Sequence, residues 1–465
     1  MAVVTGRLVG SQAASSVQSI PVTSPPMCLG RRVSAPVRDA ESPHRLANRV
    51  KHGCAEVGIV CDTAVVSVTA LLVPQPGREA AERFVAEYLV DLTDGGAVTG
   101  SERFRGGQTA ADAALASFDV TGYASRRNEV LPVSGRGASA LSPYIRHGLL
   151  TLKRVWAHVA GGPGKDVEKF RDELMWQEYA RHWYLAHGRT TEVGVRREQA
   201  CVDGGVGWDR SMACVDANLR ELERDGWLVN QTRMWLSSEW SVRRGGAWRD
   251  GEDYFFRHLL DGSRAANRMG WQWTVGVGSS KHYGFSRSQV ERRAPGLCRG
   301  CEHRHDCPIA DWPDEPDWRS VDAPGSSPSR MVVTAVEGSG VEPEAVWLTA
   351  ESLGDGDPAL VARGDLPVVF VFDEPLLARL RLSAKRLVFL TETLADLASR
   401  RTVEVWRGDP SAVLSGRRLA VTEAPVPGFA RIAGHVSPVE VHPFPWLVVP
   451  TDRPVQSFSA WRRRT

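Results

Sequence analysis

The sequence predicts two successive architectures, a mostly helical region followed by a smaller parallel α/β region. Three observations carry this expectation. Apolar residues recur at helical spacing between about Phe104 and Asp317. Short β-prone runs alternate with amphipathic helical stretches after about Val341. A Pro/Ser/Gly-rich stretch, WRSVDAPGSSPSR at 318–330, lies between them and reads as a linker.

In chain order, residues 1–100 are dominated by Ser, Val, Ala, Gly and Pro, sustain no helical period and contain one isolated apolar run, Val65–Val73. They read as an unassigned extension, disordered or divergent. Residues 101–317 form the helical domain, with i, i+3, i+4 patterns in Leu149–Val159, Phe170–Leu185, Val215–Leu228 and Tyr254–Leu260 and candidate caps at Asp166 and Asp253. Residues 318–340 are the linker. Residues 341–465 hold the β-prone runs Ala345–Leu348, Leu366–Phe372, Thr402–Trp406 and Arg418–Val421, with the helical stretch Ala384–Ala398 among them.

A chain of 465 residues is long enough for two or three domains. Its net charge of +2 means that any affinity for a polyanion rests on a local patch. No run of eighteen apolar residues and no signal-peptide pattern is present, which points to a cytoplasmic protein. Of its 16 Trp, nine fall between Trp176 and Trp273; most Trp in any protein are packing residues, so their spacing rather than their number is informative. Cys298, Cys301 and Cys307 have C-x2-C-x5-C-P spacing, which in a reducing compartment indicates a metal or cluster rather than disulfides.

Five ordered segments then coincide: GASALSPYIRHG (137–148), ELMWQEYARH (173–182), VDANLRELERDGWLVNQTRM (215–234), AWRDGEDYFF (247–256) and DGSRAANRMGWQW (261–273). Together they resemble the FAD-binding domain of the photolyase/cryptochrome family. The resemblance implies an all-helical FAD-binding fold, followed here by a Rossmann-like parallel α/β domain. It places Tyr123, Ser139, Leu141, Ser142, Asn230, Arg233, Asp261 and Asn267 on the cofactor. Ser139 and Ser142 precede a helix, where hydroxyls and backbone N–H groups suit a pyrophosphate. Arg233 and Asp261 match the family's ion pair beside the isoalloxazine, and Asn267 matches the position facing flavin N5. Ser263 stands where many relatives carry Asp. Trp271 and Trp248 match the first two members of an electron-hopping chain, and with Asn267 they form the catalytic set.

The same resemblance implies DNA containing a cyclobutane pyrimidine dimer as the partner, bound by a monomer away from membranes. Reduced FAD would give an electron to a flipped-out dimer, which splits and returns it. Glu173, Trp176, Met234 and Trp273 match lesion contacts, the two Trp as stacking walls. The alternative is a blue-light receptor of the cryptochrome type without repair activity. Arg126, Arg127, Arg146, Arg243, Arg244, Lys281 and Arg287 are candidate rim contacts to phosphates. Resemblance to the iron–sulfur bacterial subgroup adds Cys214 to Cys298, Cys301 and Cys307 as ligands of a [4Fe–4S] cluster, with zinc, helped by His303 or His305, as the alternative. The region from Val341 resembles the family's antenna-type α/β domain, which most relatives carry first, so the order looks permuted. Thr349 and Ala350 follow the first strand where relatives carry an Arg pair, so an antenna chromophore is left open.

Overall fold

Ala345–Leu348 and Leu419–Thr422 are buried along their whole length, and Val368–Asp373 through its first five residues. Runs buried on both faces belong inside a sheet covered by helices. In the computed structural model, which describes residues 59–61, 64–66, 68–201, 207–314, 318–320, 340–451, 455 and 457–465, six strands form that sheet. They are β1 Thr69–Leu71, β2 Ala345–Leu348, β3 Val368–Asp373, β4 Val403–Gly408, β5 Leu419–Thr422 and β6 Glu440–His442. Their spatial order is β6–β5–β2–β3–β4–β1. Strands β2 to β6 are mutually parallel, with Val346 opposite Val368 and Ala345 opposite Leu419. β1 pairs antiparallel with β4 at the edge. The order reverses at β2, so the crevice beyond the C-terminal ends of β2 and β5 is a topological switch point.

β1 and the helix after it, α1 Arg78–Tyr88, lie within the first hundred residues, to which the sequence reading assigned no role. Here they belong to the C-terminal sheet. Ala81, Phe84 and Val85 are buried at i, i+3, i+4, and the Phe84 ring lies 6.2 Å from that of Phe372 on β3. Three strand residues are too few to display a period, and a three-residue apolar stripe among charges is a weak helical signal.

The helical layer contains α2 Ser142–Arg146, α3 Gly164–His187, α4 Ala213–Asp225, α5 Asn230–Ser237, α6 Trp248–His258 and α7 Ala266–Val275. Two capping expectations are corrected. α6 begins at Trp248, which puts Asp253 inside it. Asp166 lies in the first turn of α3, but its carboxylate accepts from Gly122 N and Ala124 N at 2.8 Å each and so caps the neighbouring turn Tyr123–Arg126. The predicted linker also starts later than expected, since Trp318–Ser320 pairs antiparallel with Arg197–Gln199.

Helix α8 Ala384–Ala398 covers the sheet and presses against the helical layer, where Phe389 meets Tyr144 of α2 at 5.9 Å. The backbones also meet. A Cβ on Gly148, which has φ +70°, would lie 2.5 Å from Glu351 O, so only glycine fits there. Helix α9 Phe458–Arg462 closes the described chain and lies on α3. No described helix is long and apolar enough to cross a membrane.

Candidate functional site

The turn joining α6 to α7 carries Asp261. Its Oδ2 accepts from Arg233 of α5 at 2.7 Å, and the Asp261 side chain is 6% exposed. A buried carboxylate of this kind is stable only when paired. Its second oxygen, Oδ1, is buried and has no hydrogen-bond partner among the described residues. An orphaned buried acceptor beside a fixed guanidinium fits a ligand that brings N–H or O–H donors. Arg233 Nε also donates to Leu228 O at 3.1 Å, which fixes the guanidinium plane.

Asn267 is the second residue of α7 and is buried. Its Nδ2 donates to Glu252 O at 3.0 Å and to Glu252 Oε1 at 3.1 Å. With the amide nitrogen committed, the carbonyl oxygen is the end left for a ligand. Glu252 in turn holds Arg264 at 2.5 Å and Arg268 at 3.5 Å. The sequence reading did not identify Glu252. The available signal was an acidic residue on the apolar face of α6, four residues after Trp248 and three before Phe255, a position that burial permits only with partners.

The predicted phosphate side is built on a strained turn. Ala140 between Ser139 and Leu141 has φ +55°, a conformation that costs a non-glycine residue energy and often marks a binding turn. Ser139 Oγ accepts from Leu141 N at 3.5 Å, and Ser142 Oγ accepts from Trp227 Nε1 at 3.0 Å. Tyr123 is buried edge-on against Phe170 at 4.9 Å, and burial raises its phenol pKa. Asn230 is exposed at the start of α5.

Trp248 and Trp271 are both buried, on adjacent helices. Trp271 packs over Gly251 of α6, where a Cβ would come within 2.1 Å of its ring, and it meets Phe255 edge-on at 5.1 Å. Phe255 stacks at 6.1 Å on Trp208, which lies 4.5 Å from Trp240. Trp248 Nε1 donates to Glu198 Oε2 at 3.3 Å.

The predicted lesion contacts are spread more widely. Glu173 is ion-paired with Lys169 at 2.9 Å and with Arg127 at 3.4 Å. Trp273 is 44% exposed and leans on Tyr283 at 5.7 Å, while Met234 is half-buried on α5. Trp176 is stacked at 3.7 Å and 13° on Phe458 of the C-terminal segment. That segment is anchored on α3. Glu178 Oε1 accepts from Leu447 N and Val448 N, and His182 bonds Val448 O at 2.9 Å and accepts from Trp461 Nε1 at 3.1 Å. Burial pushes the His182 imidazole down to about 4, with Arg181 adding to the shift. Among the described residues no ring contact joins Trp176 to Trp273.

Two expected phosphate contacts are corrected. Arg243 donates to the carbonyls of Phe285, Asp311 and Pro308 and so ties down an internal segment. Arg146 donates to Gly262 O at 2.9 Å and pairs with Glu351 at 2.9 Å. Arg244 and Lys281 are exposed, as a rim role requires.

Cys214 of α4 and Cys298, Cys301 and Cys307 line one pocket with Met212, Arg287 and Ile309. Burial, reinforced by the other three thiols, pushes Cys214 up to about 12. Ala213 N donates to Cys301 Sγ at 3.4 Å. His303 Nε2 is bonded to Ser211 Oγ at 2.6 Å, and His305 Nε2 faces Arg304 Nε at 3.0 Å. Among the described residues no group of three or more His, Cys, Asp or Glu is drawn tightly enough to hold a single metal ion.

The helical layer thus holds a buried polar cluster around Asp261 and Asn267 and, separately, a pocket lined by four cysteines. Comparison with known proteins shows what part of the chain is similar to. The pattern described as FAD binding domain of DNA photolyase matches residues 170–292. The chain is 33% identical over 171 residues to the deoxyribodipyrimidine photo-lyase of Alkalihalophilus pseudofirmus, covering 34% of this chain and 35% of that one. It is 30% identical over 223 residues to cryptochrome DASH of Natronomonas pharaonis, covering 41% and 44%. A solved class III photolyase from Agrobacterium tumefaciens aligns at 23% identity over 44% of this chain and 42% of that chain, with a TM-score of 0.33. The matches span well under half the length of these relatives. Residues 170–292, the segment similar to the FAD binding domain of DNA photolyase, carry Glu173, Arg233, Asp261, Asn267 and Trp271.

Proposed function

We propose that this protein is a light-driven DNA repair flavoprotein that splits cyclobutane pyrimidine dimers, a deoxyribodipyrimidine photolyase-like lyase. The observation that carries the reading is Asp261, paired on one oxygen with Arg233 and free on the other. When bound, FAD supplies the light absorption and the electron. The chain's own residues do the rest. Arg233 and Asp261 orient the ring and set the charge beside it. Glu252 turns the carbonyl end of Asn267 towards the ligand. Trp271, rigid and buried, is the electron entry with Trp248 behind it. Tyr123, Ser139, Leu141, Ser142 and Asn230 are assigned to the rest of the cofactor, and Glu173, Trp176, Met234 and Trp273 to the lesion. The test is light-dependent loss of dimers from irradiated oligothymidylate by the reduced protein. Bound, reducible FAD without dimer loss overturns the repair reading.

The blue-light receptor reading has one observation in its favour. Phe458 stacks on the Trp176 ring and so competes with a damaged base for it. A C-terminal segment that responds to the flavin state suits signalling, and the same dimer assay separates the two readings.

The cysteine pocket is proposed to hold a [4Fe–4S] cluster on Cys214, Cys298, Cys301 and Cys307. Four cysteines lining one pocket support the reading, since a [4Fe–4S] cluster takes four thiolates. The candidate zinc nitrogens of His303 and His305 already face Ser211 and Arg304. Iron and acid-labile sulfide in anaerobically purified protein support the cluster, and zinc without iron sinks it. The α/β layer is proposed to be the antenna-type domain in permuted order. The switch-point order of its sheet supports this, and whether it holds a chromophore is a separate question for the absorption spectrum.

A further inference from the structure

The turn that carries Asp261 is held from the other layer of the molecule. Arg386, in the first turn of α8, is 4% exposed. Its guanidinium donates to Gly262 O at 2.8 Å and to Phe256 O at 3.1 Å, so one fork grips both the end of α6 and the residue after Asp261. Arg146 of α2 donates to the same Gly262 carbonyl at 2.9 Å. The two nitrogens of buried His147 lie 3.1 Å from Leu260 O and 2.7 Å from Ala350 O, which links the turn to the loop after β2. A Cβ on Gly262 would lie 2.8 Å from Phe256 O and 2.9 Å from the Arg386 guanidinium, so this residue has to be small.

The charges around the turn do not cancel. Arg233 pairs with Asp261, Arg146 with Glu351, and Arg264 and Arg268 with Glu252 and Asp253, four cations against four carboxylates. Arg386 is the fifth cation. It has no carboxylate within ion-pair distance among the described residues, and Asp261 and Glu351 act on it only from farther away. Burial lowers its pKa to about 9, which still leaves it charged at neutral pH. A buried guanidinium without a carboxylate is costly, and two carbonyl oxygens with the Phe256 ring 4.9 Å away compensate it only in part. Such a cost makes physical sense where a negative charge is to be received.

We propose that Arg386 is a positioning residue of the flavin site, supplied by the α/β layer. Its fork fixes the Asp261 turn, and its unpaired positive charge favours the reduced, more negative flavin. This rests on the reading that FAD binds beside Asp261. It also gives the α/β layer a task in the site that does not depend on any second chromophore.

The test uses the full chain loaded with FAD and reads the flavin midpoint potential, FAD affinity and thermal stability of R386M, R386K and E351Q. R386M loses fork and charge, and is expected to shift the potential to more negative values and to weaken FAD binding at least tenfold. R386K keeps the charge without the fork, so its potential stays near that of the unaltered protein while affinity falls. E351Q removes a nearby negative charge and moves the potential in the opposite direction, towards more positive values. This last variant keeps the test open if R386M does not fold. A lowered Tm in R386M with an unchanged potential assigns Arg386 a merely structural role and overturns the proposal, as does an unmoved potential in E351Q. Failure of the unaltered protein to bind FAD overturns the flavin reading itself, so the two failures are distinct.

Discussion

Two sides of the same helical layer are built on opposite principles. The turn around Asp261 is polar and densely bonded, fixed by Arg233 of α5, by Arg146 and His147 at the end of α2, and by Arg386 of α8. The face of α3 around Trp176 is aromatic and covered by a segment from the far end of the chain, through Phe458, Trp461 and Trp446. The first arrangement is rigid and leaves one acceptor open. The second is closed by residues that would have to leave before a base could stack there. Cofactor retention and substrate access are thereby assigned to different physical devices, and each can be broken without the other.

The largest expected effect is at the turn. D261A leaves Arg233 without its counter-charge, and breaking a pair this buried is expected to cost about 3–5 kcal/mol and most of the FAD binding. Urea unfolding and flavin content check this, and a variant that retains both places the ring elsewhere. E252A comes next. It frees Asn267 and leaves Arg264 with exposed Asp253 as its remaining partner, and a loss of about 2 kcal/mol is expected from the orphaned groups.

The covered face should respond to pH. His182 sits between an indole N–H on Nδ1 and a carbonyl on Nε2, which only the neutral imidazole satisfies. Glu178 and Arg181 on its own helix are the charged groups beside it, and Trp461 and Val448 face it from the C-terminal segment. Its pKa falls from 6.5 to about 4 in the folded protein, so the released form takes up the proton first. Docking is therefore fully stable above pH 6.5 and weakens as pH falls towards 4, by about 2 kcal/mol between pH 7 and pH 5. Limited proteolysis near residue 455 reads the release, and equal protection at both pH values contradicts it. The smallest effect is expected from F458A, which removes one stacked pair worth about 0.5–1.5 kcal/mol. It should leave FAD content unchanged while tightening oligothymidylate binding, and a fall in FAD content would show that the two faces are not separable.

The same contrast explains what was legible in the sequence. Arg233, Asp261 and Asn267 lie in compact local motifs, and the structure puts them on α5, on the turn before α7 and on α7. The sheet was legible because β2 to β5 are apolar runs between helical patterns. Long-range partners were not legible. Arg386 is 124 residues from Gly262, and Val448 is 266 residues from His182. Nothing local marks an arginine that will be buried against carbonyls of another layer. β1 and α1 were missed for a related reason, since their burial is supplied by strands and helices three hundred residues away. Arg243 was misassigned because a basic residue near a pocket looks the same in sequence whether it faces phosphate or main-chain carbonyls.

The measurement closest to the central claim is titration of the purified chain with FAD, followed by blue light in the presence of a thiol reductant. The prediction is one FAD per chain, photoreduced readily in the unaltered protein and slowly in W271F. A chain that binds no FAD, or W271F photoreduction at the unaltered rate, contradicts the assignment of the Asp261 turn and of Trp271 beside it.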